Sequence, residues 1–166
     1  MTAPHCLVVD TNVFAVAEGM HDRASEHCVA SCVAILQDIR DGIVLAVDQR
    51  DEILTEYLGA LRAAAAPGLA TKLAERLYRT RWDPAVCKCV AITPAADQPG
   101  SYEEVPRGLR DFDADDQKFL AVAVAEGGGP QIVAGLDGEW FERRSDLRGA
   151  GLDVQFVCLS DLVAES

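Results

Sequence analysis

The chain has no apolar run approaching the roughly 20 residues of a transmembrane helix, and no basic region stands ahead of an apolar one at its start, as in a secretory signal. Both absences point to a cytoplasmic protein with no membrane partner. Positive charge is scarce as well: 15 Lys and Arg stand against 27 Asp and Glu, a formal charge of −12. Proteins that bind polyanions by neutralising phosphates present a basic face, and diffuse negative charge opposes the encounter. A polyanion site in this chain must therefore be local or assisted by a metal. No internal repeat is visible, and no low-complexity tract beyond the alanines at 63–66. With 49% hydrophobic and 25% charged residues in 166, the composition excludes disordered and collagen-like classes and fits one domain, 1–166, with a sizeable core.

What is present is an alternation of strand and helix patterns. Apolar periodicity and punctuation predict a strand over 7–9, helices over 11–18 and 21–40, and a strand over 43–47. Helices follow over 50–61 and 69–78, the second after Pro67-Gly68. Residues 87–92 fit either a short strand or an extended connection. The segment 93–110, with three prolines and two glycines, reads as a long loop. A helix over 115–126, a strand over 131–134, a helix over 139–148 and a strand over 154–158 complete the pattern. The expected fold is an α/β sandwich with a mostly parallel sheet.

The six cysteines are expected to be free thiols of a reducing compartment. Cys28 and Cys32 share a core stripe with Val29, Val33, Leu36 and Ile39, and Cys87 and Cys89 alternate as one face of a strand would. No second close Cys or His pair completes a four-ligand zinc set.

Most of the acids must be solvated, so those in apolar surroundings carry the information. Asp10 ends the apolar run of LVVDTNVF (7–14), where open α/β sheets place their ligands, although Asp is also a favoured helix cap. Asp116 falls on the stripe of Phe119, Leu120 and Ala123, where a carboxylate costs several kcal/mol unless it is paired or metal-bound; the other reading is a first-turn acid favoured by the helix dipole. On the helix from residue 50, Glu56 lies nearer the apolar stripe than Glu52, which points away from it. Asp137, in GLDGEW (135–140), again marks a strand giving way to a helix, and a cap is again the alternative. Carboxylates converging on one sheet edge need a cation, and oxygen-only ligands suit Mg²⁺ or Mn²⁺.

These segments resemble the PIN-domain family of metal-dependent nucleases, found among bacterial toxins and RNA-processing factors. LVVDTNVF resembles the family's opening strand, with its first acid at Asp10 and a polar side chain at Asn12. DEILTEYL resembles the helix carrying the second acid, at Glu56. DADDQKFLAVAVA resembles the third element, with its ligand at Asp116 and Asp113 as an alternative. VAGLDGEW offers Asp137 in a shifted frame, followed by Glu139. The resemblance implies a Rossmann-like three-layer α/β/α fold and hydrolysis of RNA by one or two Mg²⁺ or Mn²⁺ ions. Asp10, Glu56, Asp116 and Asp137 would hold the metal, and Asn12 would orient a ligand or a water. It also implies a homodimer, and a basic, antitoxin-like protein partner would suit the negative charge.

Substrate contacts are sought in the densest positive groups, Arg79 and Arg81 beside Trp82, and Arg143, Arg144 and Arg148, which also read as ordinary solvated helix faces. A haloacid-dehalogenase-type phosphatase would place a second Asp where this chain has Asn12. The principal alternative is a PIN-like domain that binds a protein partner and cuts nothing, which suits the strong negative charge.

Overall fold

The computed structural model describes residues 6–127 and 129–166. Its centre is a five-stranded, all-parallel sheet built from β1 (Cys6–Val9), β2 (Val44–Asp48), β3 (Cys87–Val90), β4 (Gln131–Ala134) and β5 (Val154–Phe156), in the order β3-β2-β1-β4-β5. Helices flank it to give a three-layer Rossmann-like sandwich, as expected. The all-apolar β1 and the last three residues of β4 are buried, the signature of parallel strands covered on both faces.

α1 (Thr11–Ala17) and α2 (Glu26–Arg40) link β1 to β2, and α3 (Glu52–Leu61) and α4 (Leu69–Arg79) link β2 to β3. These four helices pack on one another, while α5 (Gln117–Ala125) packs on β1, β2 and β4. α6 (Gly138–Glu142) and α7 (Arg144–Gly149) precede β5, and α8 (Leu159–Glu165) follows it. Among the described residues no helix is long and apolar enough to cross a membrane.

Several expectations need correction. The helix expected over 21–40 begins only at Glu26, because the Ser25 hydroxyl accepts a hydrogen bond from the Cys28 N–H at 3.1 Å and caps it there. The ambiguous stretch at 87–92 is a strand over its first four residues. The helix expected over 139–148 is two short helices broken at Arg143. The strand expected over 154–158 ends at Phe156 and gives way to α8. The loop 93–110 contains a 3₁₀ turn, Arg107–Leu109, and folds inward to bury Tyr102, Val105 and Leu109.

The cysteines depart furthest from expectation. Cys28 and Cys32 are buried, as their stripe required, but Cys28 is joined to Cys158 in a disulfide, with Cα atoms 4.7 Å apart. The partner lies 130 positions away, and α8 brings it there. Cys6, Cys32, Cys87 and Cys89 are free.

Candidate functional site

The strand order reverses between β1 and β4, since the chain steps from β1 to β2 and β3 on one side and reaches β4 and β5 on the other. A crevice opens at the carboxyl ends of strands flanking such a switch point. Asp10 leaves β1 there and Asp137 follows β4. Val9 pairs with Val133, and the Asp10 N–H continues the ladder to the Val133 carbonyl at 3.0 Å.

The two loops are fastened to each other. The Asn12 side-chain oxygen accepts a hydrogen bond from the Leu136 N–H at 2.5 Å. A Cβ at Gly135 would stand 2.6 Å from that oxygen and 3.2 Å from the Val13 nitrogen. Only glycine lets the end of β4 approach the start of α1 this closely.

Asp10 is 2% exposed, and its Oδ2 has no hydrogen-bond partner. Its side chain does not cap α1. Burial pushes its carboxyl well above the ordinary range, and the charges of Asp116, Asp137 and Glu56 push it further, against a smaller opposing effect of the Asn12 backbone N–H. The charges of Asp137 and Glu56 thus lie close enough to raise the pKa of both Asp10 and Asp116.

Asp116 stands immediately before α5 rather than on its stripe, and its side chain makes no capping bond. Burial, followed by Asp137, Asp113, Glu139 and Glu56, raises its pKa to about 7. Asp137 does cap: its Oδ1 accepts from the Glu139 N–H at 3.0 Å. Burial still raises its pKa, with backbone N–H groups partly opposing. Glu139 accepts from the Asp113 N–H at 2.7 Å, and Asp113 turns its own carboxylate to the Asp115 N–H at 3.0 Å. Both therefore fix the loop that delivers Asp116.

Glu56 differs from the other acids. One of its oxygens accepts from the Thr11 hydroxyl at 2.8 Å, and the other pairs with the Lys118 ammonium. Lys118 is only 8% exposed and also donates to the Asp115 carbonyl. Glu52 instead accepts from the Tyr102 hydroxyl. Lys118 and Thr11 were not singled out in the sequence, although a lone lysine within the apolar run FLAVAVA and its approach is a usable signal.

Asp48 was missed too. It ends β2 as Asp10 ends β1 and is fully buried, but it accepts from the Arg50, Glu52 and Ile53 N–H groups at 2.9, 3.0 and 2.8 Å. Its side chain starts the helix that carries Glu56. A cavity of about 570 Å³ reaches Glu56, lined also by Arg50, Tyr102 and Lys118 among others.

Three of the five arginines singled out for substrate, Arg81, Arg143 and Arg144, are engaged within the protein. Arg143 pairs with Asp111 and Asp146 at 3.0 and 2.8 Å, and Arg144 lies over the Phe141 ring at 4.1 Å. Arg81 pairs with Asp51 at 2.8 Å, while Trp82 beside it is exposed.

Oxygen-only donors of this kind fit a hard cation. Among the described residues the carboxylates do not close into three ligand atoms within 4.8 Å; the set that does is Cys28, Cys32 and Cys158. Comparison with protein-family models, curated proteins and solved structures finds no match in any of the three.

Proposed function

We propose that this protein is a metal-dependent nuclease that hydrolyses RNA phosphodiester bonds at the Asp10–Asp116–Asp137 group, as its resemblance to the PIN-domain family implies. The observation that carries the reading is Asp10, a buried carboxylate with an unpartnered oxygen among like charges. A cation is the simplest compensation for that charge. Asp48, an acid at the equivalent end of the neighbouring strand, has its backbone partners and needs none.

Asp10, Asp116 and Asp137 would hold Mg²⁺ or Mn²⁺, with Glu56 joining if it releases Thr11 or Lys118. Bound there, the ion supplies Lewis-acid polarisation of the phosphoryl oxygens and a more acidic water. Asn12 keeps the loops of Asp10 and Asp137 in register. Glu56 pairs with the Lys118 ammonium, a fixed positive charge toward which a phosphate can turn. The cavity lined by Arg50 and Tyr102 offers the substrate strand a path past this ammonium.

The test is cleavage of a labelled single-stranded RNA pool with Mg²⁺ or Mn²⁺ by wild type, Asp10→Asn and Asp116→Asn purified identically. Metal-dependent cutting is expected from wild type alone, with a loss of at least about 100-fold in each variant. Equal cutting by all three would mean a contaminating nuclease. A second reading, a PIN-like module binding a basic, antitoxin-like partner without cutting, is favoured by the charge of −12. Silence in every sample would support it.

A further inference from the structure

Cys28 and Cys32 stand one turn apart on α2, and Cys158 precedes α8. Each is fully buried, and their three Sγ atoms all lie within 4.8 Å of one another. The disulfide takes two of these sulfurs, and the Cys32 Sγ lies 3.8 Å from that of Cys158. A cross-link needs two cysteines; here a third converges on them from the next turn of the same helix. We propose that the reduced protein uses these three cysteines as a three-coordinate site for a soft, thiophilic cation, Cu(I).

The framework that places the sulfurs does not depend on the disulfide. The Ser25 hydroxyl, which caps α2, and the Ser25 N–H donate to the two Asp161 carboxylate oxygens at 2.7 and 2.8 Å. This pair fastens the first turn of α8 to the start of α2, and Leu162 of α8 is buried in the core. Cys158 therefore stays beside Cys28 and Cys32 when the bridge opens. The helical spacing of the other two is fixed by α2 itself.

The donor set selects the ion. Three sulfurs with no oxygen or nitrogen ligand repel Mg²⁺ and Ca²⁺, which require oxygen. A structural zinc site takes four protein ligands, and among the described residues no fourth His, Cys, Asp or Glu joins this group. Cu(I) is selected by thiolates and is satisfied by three. To open the site, an external dithiol delivers two electrons and two protons to the Cys28–Cys158 disulfide and leaves as its own disulfide. As the Cu–S bonds form, the ligating thiols release their protons to solvent. The same sulfurs thus serve as a cross-link when oxidised and as a metal site when reduced.

The full chain, reduced with a phosphine and desalted without oxygen, would be titrated with Cu(I) held by the coloured chelator bicinchoninate. One Cu(I) per chain is expected to transfer, and the titratable thiols to fall from six to three. Cys32→Ser keeps the Cys28–Cys158 pair and the fold, and is expected to lose at least tenfold in affinity when treated the same way. A Cys87→Ser/Cys89→Ser variant, which removes the other close pair, is expected to take up one Cu(I) as wild type does. No transfer to reduced wild type, including through unfolding on reduction, overturns the proposal. Equal uptake by Cys32→Ser, or loss in the Cys87→Ser/Cys89→Ser variant, overturns it as well.

Discussion

Asp10 and Asp48 terminate neighbouring buried strands, yet their side chains meet opposite surroundings. Three backbone N–H groups surround Asp48, whereas Asp10 faces other carboxylates. The same substitution should therefore act in opposite directions. Asp48→Asn replaces an acceptor oxygen with a donor among donors and is expected to cost on the order of 2 kcal/mol. Asp10→Asn removes a carboxyl whose ionisation burial and the neighbouring acids oppose, and is expected to stabilise the metal-free protein at pH 8, visible as a higher urea midpoint. The pH dependence follows from the same residues. The folded-state pKa values of Asp10 and Asp137 are raised, and that of Asp116 is raised to about 7. Above the unfolded value of about 4 the unfolded chain loses these protons first. Their contribution is thus fully present below about pH 4 and is lost as pH rises through the folded values. Each group takes away at most about 1.4 kcal/mol per pH unit. Urea midpoints of metal-free protein should fall between pH 4 and 8, and fall less in Asp116→Asn. A flat profile shared by both would mean that neither burial nor the neighbouring acids disfavour these charges.

The loops leaving β1 and β4 meet at one hydrogen bond, Leu136 N–H to Asn12, and at one close approach, Gly135. Gly135→Ala forces a methyl group against Asn12 and the start of α1, where the Val13 backbone cannot yield as a side-chain tip could. The expected cost is about 1–3 kcal/mol, accompanied by weaker Mn²⁺ binding, because Asp10 and Asp137 ride on these loops. Calorimetric titration with Mn²⁺ would check it; unchanged affinity would show that the loops are not held by this contact. At this scale the sequence is most readable where burial is complete: β1 and β4 are apolar runs because both faces of the sheet are covered. It is least readable where a helix is shorter than two turns, as in α6, α7 and α8. Asp116 is legible as an acid in an apolar setting, but its place ahead of α5 is set by the Asp113 turn, where the Asp116 N–H meets the Asp113 carbonyl at 3.0 Å. Asp10 and Asp48 share one pattern, an apolar run ending in Asp, and only the backbone that follows distinguishes them. Lys118 reads as one basic residue among many until Glu56 arrives from another helix.

Across the whole molecule acids outnumber basic residues, 27 to 15, for a charge of −12. Arg40, Arg81, Arg110, Arg143, Lys88 and Lys118 are each paired with a carboxylate. Under the proposed function, attraction of a polyanion would fall to a cation held by the acidic group rather than to a basic face. The other molecule-wide feature is the Cys28–Cys158 cross-link, which no local pattern announces because it joins positions 130 apart. The chain between them includes β2, β3, β4 and β5, so nearly the whole sheet lies inside one closed loop. In the chain-entropy account, closing a loop of this size restricts the unfolded ensemble by about 4–5 kcal/mol. Small domains are stable by only about 5–15 kcal/mol, so reduction should remove a large fraction of the total. Urea unfolding with and without a phosphine reductant is expected to show a clear fall in midpoint on reduction. A Cys28→Ser/Cys158→Ser variant without reductant should match the reduced wild type. Unreduced, denatured wild type should present four titratable thiols, those of Cys6, Cys32, Cys87 and Cys89. Six thiols and a midpoint indifferent to reductant would mean that the two cysteines lie together without a bond, and that the stability of this fold rests on its core alone.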